Sequence, residues 1–380
     1  MGSKASVSLV LLDRGVYSLQ WFVLAPALAA LISSGSAPRW LVGALPFAFI
    51  VGAAAFQLVG AEASSVLGAR NAFLLGFSVL SASDVIVAFS RGAWEAVALR
   101  LLAGVGAGLF FSPAGYYLVQ VGGAESTTMM GLYNAAFELG GSAALAWGLV
   151  DGVLGWRLGT LVAGVIGLAL ALASLLLLPE NPRPPRPREL MTAKGVELVI
   201  AGTAGAGAFG ASYVLGLLLP YYASVEFGAN PYTSGTLTAL SFVGGALGGL
   251  IPLALNVVPS ASTTVLLLVV SSITYLGLLA RPYEAFLVMT FINGLMVNWA
   301  ASVYYGHVVE RFGRAASTTS LALMNAVNML ASLWMYPVAS LLTSTDLATF
   351  PAFLAVTSAG FSTLLLTGSG RSAAGGRRAG

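Results

Sequence analysis

The chain of 380 residues has no cysteine and a single histidine, His307. The first absence excludes disulfides, thiolate metal sites and a cysteine nucleophile. The second excludes the two-histidine zinc motif of an intramembrane metalloprotease. A serine nucleophile such as Ser142 has no histidine at a spacing that suggests a catalytic constellation, so no enzyme, no cofactor and no metal is expected. Charge is also scarce. Asp, Glu, Lys and Arg make up 8% of the chain, against about 25% in soluble domains. With 58% hydrophobic residues and a mean hydropathy of +0.89, an ordinary soluble domain is excluded. Apart from one polar interruption at 179–195 and the tail at 368–380, the loops are short, which leaves no room for a soluble catalytic or ligand-binding domain.

What remains is a series of apolar runs. A helix that crosses a membrane needs about 20 apolar residues. Runs at 8–33, 40–60, 71–90, 93–119, 127–150, 158–178, 195–223, 233–257, 263–280, 284–307, 317–342 and 346–367 meet that need. They predict an all-α polytopic membrane protein of twelve spans. The runs are continuous rather than alternating, which argues against a membrane β-barrel. Asp13 and Arg14 interrupt the first run, so it reads as a span rather than a cleaved signal. The net charge of +3 comes from residues in the flanking loops and is no nucleic-acid signal. With the N-terminus inside, inner segments hold Lys4, Arg70, Arg183, Arg186, Arg188, Lys194, Arg311, Arg314, Arg371, Arg377 and Arg378. Outer segments hold Arg39, Arg91, Arg157 and Arg281. By the positive-inside rule both termini are expected in the cytoplasm, and the expected location is the plasma membrane.

The chain also repeats itself. STTMMGLYNA at 126–135 returns as STTSLALMNA at 317–326, an offset of 191 residues, half the length. A parallel internal repeat in a polytopic chain is a feature of one class of secondary transporter. It divides the chain into an N-terminal six-helix bundle at 1–178, a linker at 179–194, a C-terminal six-helix bundle at 195–367 and a disordered tail at 368–380. The linker PENPRPPRPRELMTAK is kept from helix by its prolines.

The fourth run reads RLLAGVGAGLFFSPAG at 100–115. Its Arg100, Gly104, Gly106 and Gly108 resemble the fourth-helix motif of the major facilitator superfamily. GWR at 155–157 and ERFGRAASTT at 310–319 are similar to further elements of that family, and the order of these features carries the resemblance over nearly the whole chain. It implies two pseudo-symmetric six-helix bundles that work by alternating access. The family's loop signature between helices two and three aligns on Gly68 and Arg70, but its acidic position is Ser65. The antiporter motif of helix five is matched at Gly131, Gly140 and Gly148. Its Gly-Pro pair is replaced by Ala144 and Leu145, and its last Gly by Leu149.

Charges inside a span default to function. The N-terminal half places Asp13 and Arg14 about 10 Å along the first span at 1.5 Å per residue, Arg100 in the fourth and Glu138 in the fifth. A carboxylate in a low-dielectric cavity can be neutral in one state and ionised in another, whereas Arg stays charged. These four residues are the candidate proton and charge relay, with a static pair such as Arg100–Asp84 or Arg100–Glu138 as the structural alternative. Tyr17, Gln20 and Trp21 share a helical face with Asp13, and Asn134 lies one turn before Glu138. The C-terminal half offers aromatic and amide groups: Tyr213, Tyr221, Asn298, Trp299, Asn325 and Asn328. Together these are the expected cavity lining, while Tyr304 and Tyr305 read as an interfacial belt. Gly68, Arg70, Gly104, Gly106 and Gly108 are the expected conformational motif.

The function expected is secondary active transport of a small molecule coupled to protons, as efflux of lipophilic or cationic compounds. The alternative is proton-coupled uptake of a small organic anion or metabolite. The expected partners are the substrate, protons and the lipid bilayer, without nucleic acid, for a chain that acts as a monomer.

Overall fold

A computed structural model describes residues 3–33, 35–123, 126–179, 183–255 and 259–366. The expected tail and residues 180–182 of the linker lie outside these. The first span is α1 (Ser3–Phe22) continued by α2 (Leu24–Ser33). The second, third and fourth are α3 (Leu41–Leu67), α4 (Ala69–Val87) and α5 (Ala93–Gly122). The fifth is α6 (Ser126–Ala146) with α7 (Gly148–Leu154), and the sixth is α8 (Trp156–Leu177). The seventh is α9 (Pro187–Phe227). The eighth is α10 (Pro231–Thr238) with α11 (Leu240–Leu255). The ninth is α12 (Ala261–Ile273) with a 3-10 stretch at Thr274–Leu279. The tenth is α13 (Tyr283–Phe312), the eleventh α14 (Ser317–Ser332) with α15 (Met335–Thr345), and the twelfth α16 (Thr349–Gly360). Ten of these are long and apolar enough to cross a bilayer, and the bent eleventh makes another. The fifth, which carries Asn134 and Glu138, is the span that falls short on apolarity.

Both copies of the repeated STT open a helix, α6 at Ser126 and α14 at Ser317. The seventh span begins at Pro187, eight residues before the apolar run. Proline is tolerated at the first helical position, where its missing N–H has no partner to lose, so the linker's last proline starts the helix rather than ending it. Two of the broken spans have a proline as cause. Proline removes the hydrogen bond to the carbonyl four residues back and crowds it. Pro26 points to Phe22, where α1 ends, and Pro337 to Leu333, where α14 gives way to α15 at a 42° bend.

The glycines of the fourth-helix motif let backbones touch. A side chain at Gly104 would collide with the Phe49 carbonyl of the second span, and one at Gly108 with that of Ala53. Gly106 instead faces the third span, where a Cβ would lie 2.6 Å from the Gly76 carbonyl. Small residues at such contacts replace the hydrophobic drive that lipid removes. At the turn between spans two and three, Gly68 has φ +85°, a conformation that favours glycine. Arg70 beside it donates to the Leu178 carbonyl at 2.8 Å, tying this turn to the end of span six. Glu62 lies 4.0 Å from Arg186 of the linker, an exposed pair.

The two halves meet mainly through spans five and eight and spans two and eleven. Near the linker face, a Cβ at Gly131 would lie 2.7 Å from the Gly249 carbonyl. Near the opposite face, one at Gly148 would lie 2.6 Å from the Tyr232 carbonyl, and one at Gly235 2.5 Å from that of Leu145. Spans five and eight therefore touch backbone to backbone at both faces. At the opposite face Gly43 also abuts Ser340 of the eleventh span.

Candidate functional site

Between these contacts lies a cavity of about 80 Å³, lined by both halves. Typical ligand sites hold about 300–1,000 Å³, so the cavity must widen to admit a substrate of that size. Arg14, Asn134 and Glu138 line it from the N-terminal half. Tyr213, Asn298 and Asn328 line it from the other. These are six of the fourteen residues expected in the relay and cavity.

Arg14 is 2% exposed. Its guanidinium carbon lies 4.2 Å from the ring centre of Tyr133, 4.4 Å from Phe137, 4.7 Å from Tyr17 and 5.2 Å from Phe111. Rings satisfy the face of a guanidinium but not its edge, and Nε and Nη1 have no hydrogen-bond partner. Among the described residues no carboxylate pairs with it. Glu138, in the middle of the span-five contact with span eight, also has no pair. Its Oε2 rests against Gly245, 2.5 Å from where a Cβ would stand. Asn298 holds the same stretch of span eight, donating from Nδ2 to the Gly245 carbonyl at 2.7 Å. Asn134 donates to Ser302 Oγ at 3.4 Å, and Asn328 accepts from Tyr304.

The other expected residues lie elsewhere. Asp13 faces away from the cavity, and both its oxygens lie 2.9 Å from Ser174 Oγ of the sixth span. Gln20 faces the same way, donating to the Ala163 carbonyl and accepting from Ser81. One helical face was too coarse a grouping for 13, 17, 20 and 21. Tyr17 and Trp21 form the layer behind the wall, Tyr17 stacked on Phe110 at 4.5 Å and Trp21 against Phe49 at 4.4 Å. Arg100 makes an ion pair with Asp84 at 3.3 Å and donates to the carbonyls of Gln20 and Trp21. It takes no part in the cavity lining. Trp299 and Asn325 lie outside the lining, and Tyr221 sits in a separate groove with Arg39, Trp40 and Pro337.

Tyr304 and Tyr305 are corrected from belt to cavity wall. Their apolar run ends near 307, but α13 continues to Phe312, so both rings sit deeper than the run implied. Phe22, Phe137, Phe209, Phe242 and Ser212 were not singled out by sequence. Nothing distinguishes these phenylalanines from the many that face lipid.

A helical chain whose halves close on a cavity with charge on one side and rings and amides on the other belongs to the polytopic carriers. The comparisons narrow this. A family model described as Major Facilitator Superfamily matches residues 14–202. A probable actinorhodin transporter of Streptomyces coelicolor (strain ATCC BAA-471 / A3(2) / M145) is 31% identical over 188 residues. The match covers 47% of this chain and 31% of that protein; it spans about a third of the relative's length. The crystal structure of the nucleoside transporter NupG superposes with a TM-score of 0.71 over 95% of this chain and 99% of its own, at 13% identity. A bacterial homolog to the human lysosomal transporter Spinster, inward-facing and occupied, gives 0.66 over 96% and 94%, at 15% identity. At such identities the two structures speak for the fold. The chain belongs to the Major Facilitator Superfamily, a family of multi-pass membrane transporters and not of enzymes.

Proposed function

We propose that the chain is a proton-coupled secondary transporter that exports small lipophilic compounds by alternating access. The observation that carries this is Glu138, a carboxylate without a hydrogen bond that enters the cavity where spans five and eight cross. In a dry site such a group is satisfied by a proton or by a substrate's positive group. Competition between the two makes proton entry and substrate exit alternate. The rings of Phe22, Phe137, Phe209, Tyr213 and Phe242 suit apolar substrate surface. The Streptomyces relative, a probable transporter, agrees with transport. In this reading residues 1–178 and 195–367 rock about the cavity. The linker face is cytoplasmic, the location is the plasma membrane, and one chain suffices. A second reading, uptake of a small organic anion, is favoured by Arg14, which offers a fixed positive charge.

The test is reconstitution into liposomes with an imposed pH gradient, with flux of ethidium followed in one sample and of benzoate in another. Ethidium movement against the proton gradient, abolished by an uncoupler, supports export. Benzoate entry with protons, and no ethidium flux, moves the assignment to uptake. Gly245→Ala is expected to cut the proton-driven flux sharply while thermal unfolding stays close to the parent's. The three atoms nearest the new methyl all belong to the flexible Glu138 side chain, which moves aside at little cost to packing but leaves its position. Unchanged flux would show that the placement of this carboxylate is immaterial.

A further inference from the structure

Among the described residues two charged side chains line the central cavity, Arg14 and Glu138, and they have opposite sign. No ion pair joins them. The nearest acid in sequence to Arg14, Asp13, is turned to Ser174 on the far side of the first span. The two differ in what they can do alone. A carboxylate left without a partner can take up a proton, whereas a guanidinium cannot shed one. The edge of Arg14 is left unanswered, with Nε and Nη1 lacking acceptors inside its cage of rings. What it lacks is an anionic group, which a guanidinium binds edge-on. Glu138 lacks a cationic group whenever it has given up its proton. Aromatic rings fill the space around the pair, with Phe209 stacked on Tyr213 at 4.2 Å and Phe22 lying parallel to Tyr213 at 6.0 Å.

We propose that the cavity takes an aromatic zwitterion, a compound with a flat ring system, an acidic group held by Arg14 and an amine held by Glu138. This rests on the reading of the cavity as the transport site and specifies its substrate. The acid anchors the compound in the N-terminal half, the ring lies against Phe209 and Tyr213, and the amine competes with the proton for Glu138. Exchange is then of one positive charge for another at a single carboxylate. A purely cationic compound would leave Arg14 unanswered.

The experiment measures binding of three compounds on one indole frame, tryptophan, tryptamine and indole-3-propionate, to the purified full chain by calorimetry at neutral pH. Tryptophan is expected to bind about tenfold tighter than either of the others, the worth of one charge-assisted hydrogen bond. Arg14→Gln should remove the advantage of tryptophan over tryptamine, and Glu138→Gln its advantage over indole-3-propionate. Arg14→Lys, which keeps the charge, should retain part of the first advantage and guards against a fold lost in Arg14→Gln. Equal binding of tryptophan and tryptamine would overturn the proposal and leave Arg14 as a caged structural cation. If none of the three binds while uncoupler-sensitive ethidium flux persists, the substrate class is wrong and the transport reading stands. Loss of both would remove the transport reading itself.

Discussion

Glu138→Gln is expected to bring proton-driven flux down to the level of protein-free liposomes and to leave the melting temperature close to that of the parent chain. The amide has the size of the acid and fits the same space against Gly245. Glu138 pairs with no cation and accepts no hydrogen bond among the described residues, so no partner is orphaned by the change. The fold therefore has little at stake in this carboxylate, whereas the proposed coupling depends on it. An amide cannot alternate between neutral and ionised forms. Counterflow, which needs no net proton movement, should survive in part. Gradient-driven flux at the parent rate would remove Glu138 from the coupling step.

Arg100→Ala is expected to do the reverse and to strike stability first. The guanidinium donates to Asp84 on the third span and to the Gln20 and Trp21 carbonyls beside the break in the first. It is 3% exposed, and Asp84 is fully buried with Oδ2 already lacking a donor. Removing one partner of a buried pair leaves a bare charge and costs about 3–5 kcal/mol. Thermal unfolding in detergent should show a clear drop, and Asp84→Asn combined with Arg100→Ala should recover part of it. A melting curve that matches the parent's would mean that the pair is replaced by water. The same geometry separates two residues that sequence groups as one relay: Arg100 fastens spans one, three and four together, and Glu138 has no hydrogen bond or ion pair among the described residues.

The repeat at 126 and 317 and the apolar runs made the twelve-span, two-bundle fold legible, because a bilayer imposes length and apolarity on each span. Within the site, Arg14, Asn134, Glu138, Tyr213, Asn298 and Asn328 were legible because polar groups deep in a span are costly and so stand out. Which way each one faces was not. Asp13 and Arg14 are adjacent in the chain and point to opposite sides, a matter of helix rotation that packing alone decides. Helix ends were misjudged at Tyr304 and Tyr305 for a related reason: apolar runs mark the bilayer, and helices extend past it. The phenylalanines of the wall carry no signal at all, since the same residue serves lipid, core and cavity equally well.

The repeat pairs Glu138 with Met329, and their surroundings match that relation. Glu138 meets span eight at Gly245, and Met329 meets span two, its sulfur 3.9 Å from Gln57 Nε2. Of two related crossings, one carries an ionisable group and the other a thioether that no pH change can alter. The present chain keeps an acid at just one of them, so under the proposed coupling acidity would throttle a two-sided machine from one side. Under the same proposal a carboxylate placed at 329 would give the second crossing a control it does not now possess.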